Sequence, residues 1–230
     1  MSGHSFGNLF LTALASIYGS DLEGIRKASE LLHVKGTVVP VSVDSSHIHA
    51  ILADGTEIVG ETNIDIPKHD GSVRIDRVFL EPSARLLPEA AVSIRDADII
   101  VMGPGDLYTS VIPNLLVDGM KEALANTKGK TIIVCNLMTK WGETHGFSAS
   151  DMVRELLRYS GLPRFDVAIV NTGLMSPQLL ETYARGNQFP MLVDDALPGL
   201  VGRVVAEDLV SDADIARHDG EKLAAIVASL

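Results

Sequence analysis

Apolar residues recur at helical spacing through 5–18 and again through 21–33, and Gly19-Ser20 interrupts the pattern between them. Two helices are predicted, the second capped by Asp21. Beyond Gly36 the period changes. Strand-like runs at 38–43, 47–53, 57–62 and 73–80, with a turn at Asp54-Gly55, predict antiparallel hairpins. From Asp98 onward, short buried runs at 98–102, 131–135, 167–170 and 191–193 alternate with helical patterns at 110–125, 148–160 and 177–185. A final helix over 221–230 follows Asp219 as its cap. This order predicts an α/β fold: a mainly parallel sheet with covering helices, and an antiparallel hairpin excursion over 36–80. No Pro/Ser-rich linker divides the 230 residues, so one domain over 1–230 is expected.

Composition narrows the function classes. A net charge of -11 argues against a nucleic-acid or membrane partner, because both need basic surface for counterion release. The single cysteine, Cys135, falls in an apolar run and has no internal partner, which suits a reducing, cytoplasmic compartment. The segment 9–15 imitates a signal-peptide core but lacks a preceding Lys or Arg, and no apolar run approaches membrane-spanning length.

The chemistry concentrates where strands end, because open α/β sheets bind ligands beyond the carboxyl ends of their strands. The loop Gly103-Pro104-Gly105-Asp106-Leu107-Tyr108-Thr109-Ser110 follows one predicted strand and reads as a cradle for an anionic group. Its glycines permit close backbone approach, and Ser110 is expected to cap the following helix. Asp106 would repel a phosphate, so a sugar hydroxyl or a metal ion is its expected partner. Asn136 and Asn171 follow two further strands and point to the same rim. Glu143 and Thr144, in a loop without periodicity, are candidates for ligand hydroxyls.

Several motifs together resemble one family. They are Gly3-His4-Ser5-Phe6-Gly7-Asn8-Leu9, the loop 103–110 with Ile112-Pro113-Asn114-Leu115-Leu116, Cys135-Asn136-Leu137-Met138-Thr139, Gly142-Glu143-Thr144, and Arg217-His218-Asp219 before Glu221-Lys222-Leu223-Ala224. In this order they resemble the gluconeogenesis-factor family, related to 2-phospho-L-lactate transferases. The resemblance implies a Rossmann-like fold, a homodimer, and a cytoplasmic regulator of carbon metabolism and cell shape that binds a nucleotide or UDP-sugar without catalysis. It implies ligand contacts from His4, Ser5, Gly7, Asn8, the loop 103–110, Asn136, Thr139, Glu143, Thr144 and Asn171. The transferase relatives imply an alternative: transfer of phospholactate from a guanosine diphosphate carrier to a deazaflavin, with magnesium at Asp106. The loop Gly-Pro-Gly-Asp-Leu-Tyr sits closer to the first branch. Family members begin with a strand, a Gly-Gly-Gly-Thr-Gly loop and an Asp-Asp-Gly-Gly segment that lie upstream of Met1, so the chain is expected to be N-terminally truncated relative to them. A family fold that binds no nucleotide is the third reading. Lys140-Trp141 also stands where the family often carries Gln-Pro, and His145 and Met152 stand where it more usually carries Asp and His.

Other residues invite blander roles. His47 and His49 share one face of a predicted strand but lack a third ligand, so exposed strand histidines are expected there. Asp219 is placed to cap the last helix, Cys135 to fill the core, and Trp141 either to stack on a ligand or to anchor a surface.

Overall fold

Strand β5 (Lys130–Val134) shows how the fold is organised, because its successive side chains alternate between two cores. Ile133 and the following Cys135 join one core, and Ile132 and Val134 join the other. The computed structural model describes residues 5–211 and 214–230. In it β4 (Ile99–Met102), β5, β6 (Phe165–Asn171) and β7 (Val201–Glu207) form a parallel sheet in chain order. Burial on both faces explains the continuous apolar runs.

Helix α7 (Ala149–Ser160) covers the first face through Met152, Val153, Leu156 and Tyr159. Its start is fixed by a capping box between Ser148 and Asp151. Helix α9 (Gly220–Ser229), capped by Asp219 as expected, covers the second face through Leu223, Ile226 and Val227. Helix α8 (Pro177–Ala184) packs Leu179 with Leu137 and Met175 in a third, smaller cluster.

The antiparallel excursion is a three-stranded sheet ordered β2-β1-β3, from β1 (His47–Leu52), β2 (Glu57–Val59) and β3 (Ile75–Glu81). Its inward residues Ile48, Ala50, Leu52, Ile75 and Val78 enter the same core as α7. The outer edge of β3 is tied to α7 by the Tyr159 hydroxyl, which accepts the Val78 N–H at 2.9 Å.

Several expected elements change. Residues 38–43 form no strand; Val41 packs on the core, and its carbonyl accepts the Leu87 N–H at 2.8 Å. The run 57–62 stops as a strand at Val59 because Gly60, at φ +90°, turns the chain into α3 (Glu61–Asp65). Residues 191–193 lie outside the sheet, where Met191 bonds the Leu137 carbonyl and Leu192 accepts from Ala149. The fourth parallel strand is instead β7, an edge strand whose exposed Gly202-Arg203 obscured its pattern. Helix α4 (Pro88–Asp96) was unexpected, and Pro88 occupies its first turn.

The single helix expected over 110–125 is two pieces, α5 (Ile112–Leu115) and α6 (Met120–Ala125). The break arises because the Asp118 N–H bonds Ala84 at 2.8 Å and its carbonyl accepts from Leu86 at 3.0 Å, after which Gly119 turns back at φ +98°. At the N-terminus, α1 (Phe6–Tyr18) and α2 (Asp21–Leu31) form a helical hairpin. Ser20, rather than Asp21, caps α2, accepting the Glu23 N–H at 3.2 Å.

Tyr159→Phe should cost about 1–3 kcal/mol, because it strands the buried Val78 N–H while leaving the ring in place. Urea denaturation measures this loss, and an unchanged midpoint would show that the hydroxyl does not tie β3 to α7.

Candidate functional site

The candidate site forms where β4 and β5 end. After Met102 the chain turns at Gly103, with φ +81°, and a Cβ there would meet the Val134 carbonyl oxygen at 3.0 Å. Only glycine combines that backbone conformation with so close a passage. The next residues are held from the neighbouring strand end. Asn136 accepts the Gly105 N–H at 3.3 Å and donates its amide to the Gly105 carbonyl at 2.9 Å. Its side chain therefore shapes the loop as well as lining the space beside it.

Helical structure starts just past Asp106, earlier than expected. Residues Leu107–Val111 form a wide π turn in which the Ser110 and Val111 amides both reach the Asp106 carbonyl, at 2.9 and 3.0 Å. Ser110 thus caps nothing. Pro113 nevertheless falls in the first turn of α5, where its missing N–H removes no bond.

Glu143 fixes the start of this turn from below. It is 2% exposed, accepts the Tyr108 N–H at 2.9 Å and the Thr109 hydroxyl at 3.0 Å, and lies 3.1 Å from the Lys140 ammonium. Glu143, expected at ligand hydroxyls, thus directs both oxygens to the protein itself. Burial pushes its carboxyl above the usual range, and Lys140 and the Tyr108 N–H pull against that rise. Lys140 also pairs with Asp106 at 2.7 Å and with Asp65. Burial pulls the Lys140 ammonium down, but the hydrogen bonds to Asp106 and Asp65 outweigh it, and the group stays above the ordinary lysine range.

Beside this network opens a cleft of about 530 Å³, lined by Pro104, Gly105 and Asp106 from the β4 loop and Asn136, Thr139 and Lys140 from the β5 loop. Tyr183, Gln188, Arg217 and His218 contribute from later in the chain. Arg217 and His218 bring a cation and an imidazole that no single loop pattern placed here. Among the described residues Arg217 makes no ion pair, and the buried Nε2 of His218 has no partner.

The remaining candidates take other positions. Leu107 and Tyr108 are core residues, with the Tyr108 hydroxyl on Glu155 at 3.1 Å. Ser110 lines an apolar groove on the far side of the loop. Thr139 lines the cleft while accepting the Phe189 N–H, and buried Thr144 accepts the Lys140 N–H. Asn171 wraps Gly173 and the Leu209 N–H, and borders a smaller cavity of about 170 Å³ that also includes Asn136. Ser5 caps α1 through the Asn8 N–H, and exposed Gly7 and Asn8 are not among the residues lining the cleft. Gly3 and His4 lie outside the described residues. His49 bonds Glu57 at 2.9 Å, and Trp141 packs on His145 at 4.6 Å and against Gly71. Burial raises the Cys135 thiol to about 12, so it is an inert core group.

Burial pulls the His218 imidazole below its ordinary 6.5, with the Cys135 carbonyl opposing. The folded chain then binds fewer protons than the unfolded chain, so stability falls as pH drops through about 6.5. His218→Gln should lose less melting temperature than the native chain between about pH 7.5 and about pH 5.5. Parallel slopes for the two proteins would place that pH sensitivity elsewhere.

The family model described as 2-phospho-L-lactate transferase CofD matches residues 1–210. The gluconeogenesis factor of Halalkalibacterium halodurans is 39% identical over 226 residues, covering 97% of this chain and 69% of that protein. The gluconeogenesis factor of Bacillus subtilis is 35% identical over 233 residues, covering 100% of this chain and 72% of that one. A crystal structure of a Bacillus halodurans protein superimposes with a TM-score of 0.91 at 37% identity, covering 99% of this chain and 73% of the other. Both the whole-chain match and the shared α/β architecture place this chain in the CofD family, alongside the proteins named gluconeogenesis factor.

Proposed function

We propose that this protein binds a UDP-sugar in the cleft between the β4 and β5 loops, without catalysis, and so acts as a regulator of carbon metabolism and cell shape. The names of its relatives supply the metabolic context. One observation carries the binding reading: a chain of net charge -11 brings an arginine with no ion pair among the described residues, and a histidine with an unpartnered buried nitrogen, into one cleft with a glycine loop. Arg217 is suited to a diphosphate, because a guanidinium forms charge-assisted, two-pronged bonds to phosphate oxygens. The His218 Nε2 and the Thr139 and Gln188 side chains are suited to hydroxyls or a base edge.

The transferase alternative needs magnesium, and the donor set does not fit it. Asp65, Asp106 and Glu143 bring carboxylate oxygens within 4.8 Å of one another, but the Lys140 ammonium already stands among them. Cys135 is no nucleophile, and the Tyr108 hydroxyl, raised further by burial and by Glu155, is no base.

Isothermal calorimetry with UDP-N-acetylglucosamine tests the proposal. The native chain should bind, and Arg217→Ala should weaken binding by about tenfold or more, the worth of one lost hydrogen bond to a charged group. Absence of binding to any UDP-sugar would remove the proposal. Product formation from the guanosine diphosphate carrier, a deazaflavin and magnesium would replace it with the transferase reading.

A further inference from the structure

Three carboxylates from three separate parts of the chain meet at one lysine. Asp65 ends α3, Asp106 closes the β4 loop, and Glu143 lies in the loop after β5, three residues beyond Lys140 itself. An ammonium carries three N–H donors and no acceptor, so its bonding capacity matches the three carboxylates in number. Their oxygens lie within 4.8 Å of one another, a spacing that the oxygen ligands of one divalent ion also adopt. Three carboxylates this close, one of them without solvent, stay ionised together only around a positive charge. Here the protein's own side chain brings that charge.

We propose that Lys140 is a built-in cation that occupies the place of a divalent metal in the floor of the cleft, and that it makes ligand binding there independent of metal. Lys140 is a positioning residue. Its bond to Asp106 fixes the end of the glycine loop, and its charge supports Glu143, which holds the Tyr108 N–H and the Thr109 hydroxyl. A magnesium ion would have to displace an ammonium already engaged by all three of its candidate ligands. The same geometry gives the lysine a signature that a merely structural residue lacks. Its replacement by a neutral side chain of similar length leaves three carboxylates facing an uncompensated centre, where a divalent ion compensates best.

Electron paramagnetic resonance titration with Mn²⁺, without nucleotide, gives the first test. The native chain should show no tight Mn²⁺ site, and a tight site that Asp106→Asn removes would overturn the proposal. The second test uses Lys140→Met. Its melting temperature should fall below the native value and be raised by Mn²⁺, whereas neither the native chain nor the Lys140→Met, Asp106→Asn double variant should respond. A Lys140→Met protein that ignores Mn²⁺, or a native chain that responds equally, would overturn it. If Lys140→Met does not fold, the native titration decides.

The nucleotide arm rests on the cleft reading given above. UDP-N-acetylglucosamine affinity of the native chain should agree within about twofold between EDTA and magnesium. A loss of about tenfold or more in EDTA would overturn the built-in cation but leave nucleotide binding standing. No binding in either buffer would remove the UDP-sugar reading, and the Mn²⁺ experiments would still decide the role of Lys140.

Discussion

A buried carboxylate governs how this chain assembles its strand-end loops. Ionised and removed from water, Glu143 is costly unless every oxygen finds a donor. The donors it finds are a backbone amide, a hydroxyl and an ammonium from the two loops that frame the cleft. Moving any of them away would expose that cost, so the π turn after Asp106, the Lys140 side chain and the β5 loop are mutually constrained. The loop after β5 is held in turn by the excursion: Gly142 donates to the Gly71 carbonyl, and Trp141 packs against Gly71. Residues as far apart as 65 and 143 therefore contribute to one local geometry.

The architecture was legible where periodicity is clean. Ile132 to Cys135 and Val167 to Val170 are apolar at every position because both faces are covered, and Ser148 and Asp219 sit directly ahead of helical patterns. Legibility failed where tertiary pairing overrode local pattern. The helix expected over 110–125 splits because Asp118 pairs with Ala84 and Leu86, and strand β7 hides behind Gly202 and Arg203 at a sheet edge. Residues 191–193 look like a strand because they are apolar, yet they pack across the strand ends and never enter the ladder.

The cleft was half visible for a related reason. Gly103 to Asp106, Asn136 and Thr139 follow strands, and strand ends are where open α/β sheets place ligands. Lys140 stood out only as a departure from the family pattern, and Arg217 and His218 only as a terminal signature. What each does depends on a partner remote in sequence: Asp65 and Asp106 for the lysine, the ends of the first strands for Arg217 and His218. Glu143 and Asn171 have the chemistry of ligand groups, but backbone donors of the protein itself engage them: the Tyr108 N–H for Glu143, and the Gly173 and Leu209 N–H groups for Asn171.

The simple order of the parallel sheet bears on how the cleft comes into being. Each strand pairs with its sequence neighbour, so every step closes a loop of roughly thirty to forty residues at modest entropic cost. The cleft does not grow in that stepwise way. One wall arrives with the first parallel strand, and Arg217 and His218 arrive only after the chain has passed through the last one and turned back toward α9. A molecule bridging those walls would clamp the earliest and latest parts of the sheet together, making occupancy of the cleft a physical report that the chain between them is completely folded.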